Sequence, residues 1–247
     1  MNQTYFSIEG VVGSGKSTTM GWMGDMLETD GYKFNLIPEP LEKFKRWGTY
    51  DPLAECYRNP ASSAVMAHIH IMKQSLSHYS QNVVLARRSD CDVIVSDRSI
   101  LSPQVFANTY FLRKIFSPYT KDSLTTMWEE EMSNRYEILN VKPDVIIFLN
   151  TELSLVEERL KNDRSSARSP EETAFMNHGT LLAMEPSYVS LLEKMSIPHH
   201  KVFIDSGMTP RDVAQKVYNI IREEMCAEGG GGFKSSECEF SCSEDLN

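Results

Sequence analysis

The chain has 247 residues, 41% of them hydrophobic and 24% charged, with a formal charge of −9, the profile of one globular domain with at most a short appendage. That acidic balance argues against binding along a DNA or RNA backbone, which draws on clustered Lys and Arg, and no apolar run reaches the length of a bilayer crossing. Five scattered cysteines, Cys56, Cys91, Cys226, Cys238 and Cys242, do not form a disulfide framework, and with no signal-peptide pattern at the N-terminus they predict a reducing, cytoplasmic setting.

The first predicted strand, Thr4–Glu9, runs into Gly10-Val11-Val12-Gly13-Ser14-Gly15-Lys16-Ser17-Thr18, and a helix-competent stretch follows from Thr18 to Glu28. This is the spacing G-x-x-x-x-G-K-[ST] in a strand-to-helix context. Its glycines let the backbone wrap a polyphosphate so that N–H groups and a helix start face it. Lys16 then reaches the outer phosphates, and the Ser17 hydroxyl suits Mg²⁺. A nucleoside triphosphate is the expected ligand.

The second predicted strand, Phe34–Glu39, ends on a carboxylate held between Pro38 and Pro40. Beside a phosphate loop, such a group suits a general base for an acceptor hydroxyl; it also suits an acid complementing a helix dipole, and position alone leaves both open. The third strand, Asp92–Asp97, leads into Asp97-Arg98-Ser99. Asp97 is a candidate for holding Mg²⁺ directly or through water, and Arg98 for steadying transferring phosphate oxygens, with an internal Asp–Arg ion pair as the alternative.

After the fourth strand, Asp144–Asn150, come Arg159, Lys161, Arg164 and Arg168. Read by themselves they are the solvated end of an amphipathic helix; the resemblance given below implies instead the cations of a closing lid. The fifth strand is Lys201–Asp205. Continuous apolar runs such as Val93-Ile94-Val95 and Val145-Ile146-Ile147-Phe148 predict strands covered on both faces. The expected class is therefore α/β: a P-loop NTPase fold with a central parallel sheet of about five strands and helices on both faces, and the family resemblance given below implies its kinase form. From Cys226 onward four successive glycines and a Ser/Glu-rich end predict a disordered acidic tail, 226–247, after a single domain, 1–225.

Ile8-Glu9-Gly10 with Gly15-Lys16-Ser17-Thr18, then Glu39-Pro40-Leu41-Glu42-Lys43-Phe44, then Asp97-Arg98-Ser99 resembles, in that order, the deoxynucleoside kinase family. The resemblance covers about residues 4–222. It implies transfer of the γ-phosphoryl of ATP, with Mg²⁺, to the 5′-hydroxyl of a deoxynucleoside, and it suggests a helix-mediated homodimer, while charge and composition predict no nucleic-acid polymer or membrane as partner. Position by position, Glu39 resembles the base, Phe44 an aromatic packed on the nucleobase, Tyr57 the group at the sugar 3′-hydroxyl, and Arg98 the holder of the 5′-oxygen and phosphate. Arg159, Arg164 and Arg168 resemble lid arginines on the ATP side, and Glu171 or Glu172 the lid acid at the 3′-hydroxyl.

The sequence also departs from the family. The position of the base-reading glutamine carries His68, and that of a second base-sandwiching aromatic carries Ala107, with Phe106 beside it. His68 reads as a base-edge partner or as a packed core histidine, since it shares a helical face with Ile71, Met72 and Ser75. His70 and Gln74 are the neighbouring substitutes. Two further readings stand beside a deoxynucleoside kinase. One is a thymidylate-type nucleoside monophosphate kinase, and the other a non-catalytic nucleotide-binding protein on the same fold.

Overall fold

The computed structural model describes residues 3–162 and 178–228. Five strands, β1 (Thr4–Gly10), β2 (Phe34–Ile37), β3 (Val93–Asp97), β4 (Val145–Thr151) and β5 (His199–Ile204), form one sheet in the order β2-β3-β1-β4-β5. Every pairing is parallel, with Ile8 opposite Asp97 and Gly10 opposite Leu149. The expected α/β class and strand number are found.

The apolar runs serve two layers at once. Tyr5, Ile94, Ile146 and Phe148 point to one face of the sheet, where α4 (Pro60–Arg88), α5 (Ser102–Leu112), α6 (Pro118–Leu139), α7 (Leu153–Asn162) and α8 (His178–Met195) pack. Phe6, Ile8, Val95, Ile147 and Leu149 point to the other, against Met20, Met23 and Leu27 of α1 (Lys16–Thr29) and Val213, Val217 and Ile221 of α9 (Pro210–Glu228). Burial on both faces is what removes the period-two alternation from these strands. β5, at the sheet edge, keeps it, with Phe203 exposed and Val202 and Ile204 buried.

β1 is central, and β3 and β4 flank it on opposite sides. The chain therefore reverses its direction of winding at the C-terminal end of β1, where a crevice must open. Gly10 sits there because nothing larger fits: a Cβ would lie 2.9 Å from the Leu149 carbonyl oxygen of the neighbouring strand. Among the described residues, no helix is long and apolar enough to cross a membrane.

The limits of β1, β3, β4 and β5 shift by one or two residues from expectation, to Thr4–Gly10, Val93–Asp97, Val145–Thr151 and His199–Ile204, and two further boundaries differ with more consequence. β2 stops at Ile37, so Glu39 lies in the turn before α2 (Leu41–Phe44) rather than in the strand, because the flanking prolines cannot donate to a ladder. α9 continues through Cys226 to Glu228, while the remainder of the 226–247 segment, with Cys238 and Cys242, lies outside the described residues.

Candidate active site

A cavity of about 600 Å³ opens over the C-terminal ends of the strands, lined at one end by Val12 to Thr19 and at the other by Phe44, Leu53, Tyr57, His68 and Tyr110, with Glu39 and Arg98 between. The phosphate loop is built as its sequence dictates. Gly13 and Gly15 take φ of 85° and 97°, a left-handed backbone that glycine adopts without steric cost, and Gly15 turns the chain directly into α1. Lys16 folds back over the loop, donating to the carbonyls of Gly10 (3.1 Å) and Val11 (2.9 Å) and to Ser14 Oγ (3.3 Å). Burial, with the Arg98 cation next in weight, lowers its ammonium to about 8. A polyphosphate would replace those loop acceptors with full negative charge.

Ser17 Oγ donates to Asp97 Oδ2 at 2.5 Å, and the other carboxylate oxygen, Asp97 Oδ1, is buried without a hydrogen-bond partner. Hydroxyl and carboxylate together are a hard-oxygen donor pair of the kind Mg²⁺ takes when phosphates and water complete its shell. Among the described residues there is no group of three or more His, Cys, Asp or Glu suited to a metal. Val11 and Val12 are buried members of the loop, and Ser14 carries on its carbonyl the Thr151 hydroxyl (3.2 Å) and the Arg159 guanidinium (3.3 Å). Thr18 is exposed at the cavity wall.

Glu39 is held by its turn. His78 Nε2 lies 2.9 Å from the Pro38 carbonyl, which it meets as a donor, and Lys43 Nζ lies 3.3 Å from His78 Nδ1. The Glu39 carboxylate Oε1 is 2.9 Å from Arg98 Nε. That N–H is not aimed along a hydrogen bond, so charge links the pair. Burial raises the Glu39 carboxyl above its ordinary value, and Arg98 opposes the shift without cancelling it. Arg98, fully buried, adopts a φ of 66°, which a residue with a Cβ accepts only at a cost of about 1–3 kcal/mol. The guanidinium also lies 5.5 Å from the Phe106 ring centroid, in a cation–π contact.

At the far end Phe44, Tyr57 and His68 line the cavity. Asp51 caps α3 (Pro52–Arg58) through the Ala54 N–H at 2.9 Å and so fixes the helix that carries Tyr57. His68 meets Tyr110 and Phe116 edge-on at 6.2 and 5.9 Å. Burial lowers its imidazole to about 4, so it is neutral near pH 7. It is thus a packed histidine and a cavity wall together. The second aromatic wall is Phe106, with Ala107 turned into the core. His70 is spent elsewhere, stacked on Trp47 and 3.1 Å from the Lys43 carbonyl, and Gln74 does not line the cavity. Arg164, Arg168, Glu171 and Glu172 lie outside the described residues.

Sequence reasoning missed the group beneath Arg98. Glu9, fully buried, accepts from Ser99 Oγ (2.7 Å), Ser102 Oγ (2.8 Å), Ser7 Oγ (3.1 Å) and Tyr188 Oη (3.2 Å). The charged end of β1 was legible as a strand terminus; Tyr188, some 180 residues distant, carried no signal.

A glycine cradle with its lysine, a hydroxyl and carboxylate paired beside it, and an acid and a guanidinium facing a second, apolar compartment define a P-loop phosphotransferase with a small-molecule acceptor. The chain belongs to the deoxynucleoside kinase family, whose sequence model matches residues 6–226. Membership makes it a nucleoside kinase with ATP as the implied phosphate donor. Three structures of deoxyadenosine kinase from M. mycoides, with products dCMP and a flexible dCDP, with dCTP and with dATP, share its fold at a TM-score of 0.64. Their identities are 15%, 15% and 16%, and the match covers 89% of this chain and 100% of theirs. A probable thymidylate kinase from Thermoplasma acidophilum is 23% identical over 185 residues, 74% of this chain and 81% of that protein.

Proposed function

We propose that this protein transfers the γ-phosphoryl group of ATP to the 5′-hydroxyl of a deoxynucleoside. The observation that carries the reading is the Glu39–Arg98 pair, 2.9 Å apart, on the wall of one cavity shared with Lys16 and Ser17. Glu39 accepts the hydroxyl proton as the new O–P bond forms and the bond to the ADP leaving group breaks. Its raised carboxyl makes it a better proton acceptor once ionised. Arg98 and Lys16 carry charge that spreads over the transferring phosphoryl oxygens, so alignment and electrostatics supply most of the rate. Ser17 and Asp97 would hold Mg²⁺, which when bound neutralises the β- and γ-phosphates.

Phe44 and Phe106 would sandwich the base, His68 would meet its edge, and Tyr57 would contact the sugar 3′-hydroxyl. Arg159, already against the Ser14 carbonyl, would act on the ATP side together with Arg164 and Arg168, while Glu171 or Glu172 would close over the sugar. The expectation of a homodimer belongs to the same reading. A purified-protein assay with ATP, Mg²⁺ and thymidine, deoxycytidine, deoxyadenosine or deoxyguanosine beside dTMP tests it. Phosphorylation of a nucleoside is the expected result; turnover of dTMP alone would assign the chain to monophosphate chemistry instead, and nucleotide binding without turnover would remove catalysis altogether.

A further inference from the structure

Glu9 is a buried carboxylate at the heart of the molecule, and no cation among the described residues stands within ion-pair distance of it. Its partners are all hydroxyls, from three separate elements: Ser7 on β1, Ser99 and Ser102 at the entry to α5, and Tyr188 on α8. A carboxylate so placed costs desolvation, and hydroxyl donors only partly offset it. The arrangement calls for a use beyond filling space.

The Tyr188 hydroxyl supplies the link. Arg98 Nη1 donates to Tyr188 Oη at 2.6 Å, which leaves the tyrosine proton free for Glu9 Oε2 or the Gly10 carbonyl, each at 3.2 Å. Oε1 of Glu9 already takes Ser7 and Ser99, whereas Oε2 takes Ser102 and Tyr188. The same Arg98 nitrogen reaches the Gly10 carbonyl at 3.2 Å. One guanidinium edge is therefore bound into a rigid network, while Nε faces Glu39. The strained left-handed backbone at Arg98 needs such a hold to persist.

We propose that Glu9 and Tyr188 are positioning residues: the Tyr188 hydroxyl passes the charge of Glu9 to Arg98 and fixes the plane in which its guanidinium meets Glu39 and the transferring phosphoryl. The inference rests on the proposed role of Arg98 in phosphoryl transfer. Neither Glu9 nor Tyr188 lines the cavity, so their hydrogen bonds reach it through Arg98 and the Gly10 carbonyl. Hydrogen bonds to charged donors are short and strong, and their loss is felt in orientation before affinity.

The test is steady-state kinetics on the full chain with ATP and an accepted deoxynucleoside, for Tyr188→Phe, Arg98→Lys, the double variant of these two, Arg98→Ala and Glu9→Gln. Tyr188→Phe keeps the ring that packs 5.1 Å from Phe148. The expected result is a kcat lower by at least about tenfold with the KM for ATP within about twofold, and no further loss when Tyr188→Phe is added to Arg98→Lys. Glu9→Gln is expected to show the same split between kcat and KM, and it carries the test if Tyr188→Phe does not fold. Wild-type kcat in the folded Tyr188→Phe protein, or losses that multiply in the double variant, would overturn the relay while leaving the kinase reading intact. Wild-type turnover in Arg98→Lys and Arg98→Ala would instead remove the role of Arg98 and the relay with it.

Discussion

Arg98 Nε stands 2.9 Å from Glu39 Oε1, joining the end of β3 to the turn after β2 across the floor of the cavity. The pair has two consequences. It keeps a mostly buried carboxylate from being an uncompensated charge, which would cost several kcal/mol, and it sets an acid and a cation on one side of the space that ends at the phosphate loop.

The pH profile reports on this pair. Burial raises the Glu39 carboxyl above its ordinary value of 4.5, and Arg98 opposes that shift only in part. Only the ionised form accepts a proton, so activity rises with pH through the raised value, and kcat/KM is expected to show an acid limb above pH 4.5. A profile flat down to that pH would contradict the role.

Lys16 predicts a proton balance. Its ammonium is lowered to about 8, chiefly by burial and then by the Arg98 cation, so above that pH the protein holds it mostly neutral before nucleotide binds. Bound triphosphate favours the charged form and raises the value again. Nucleotide binding at pH 9 is therefore expected to take up close to about one proton per site, and at pH 7 almost none. Isothermal titration in buffers of different ionisation enthalpy measures this, and Lys16→Arg, which stays charged, is expected to abolish the uptake.

His68 is expected to govern choice among nucleosides rather than the rate of transfer. It is neutral around pH 7, buried, and makes ring contacts with Tyr110 and Phe116. His68→Leu removes its hydrogen-bonding nitrogens and is expected to lower kcat/KM for the preferred nucleoside by about tenfold, with kcat changed far less. Equal effects on every nucleoside would show the histidine to be packing alone.

Much of this was legible in the sequence because the governing physics is local. The glycine spacing from Gly10 to Gly15 dictates its own loop, and the uninterrupted apolar runs of β3 and β4 dictate a sheet covered on both faces. Glu39 was legible as a carboxylate at the sheet's edge, although the two prolines end the strand before it. The shortfall is long-range. Phe106 rather than Ala107 faces the cavity, a difference of 100° in helix phase that an alignment without coordinates does not fix. The Glu9–Tyr188 contact joins β1 to α8 over 179 positions, and no periodicity encodes it.

The most direct test of the account is Glu39→Gln, an amide of the same shape that cannot take the proton. Single-turnover phosphorylation of a deoxynucleoside is expected to slow by about 10²–10⁴-fold, with ATP affinity by titration unchanged within about twofold. Transfer at the wild-type rate with the amide in place would contradict the claim that this carboxylate activates the acceptor hydroxyl.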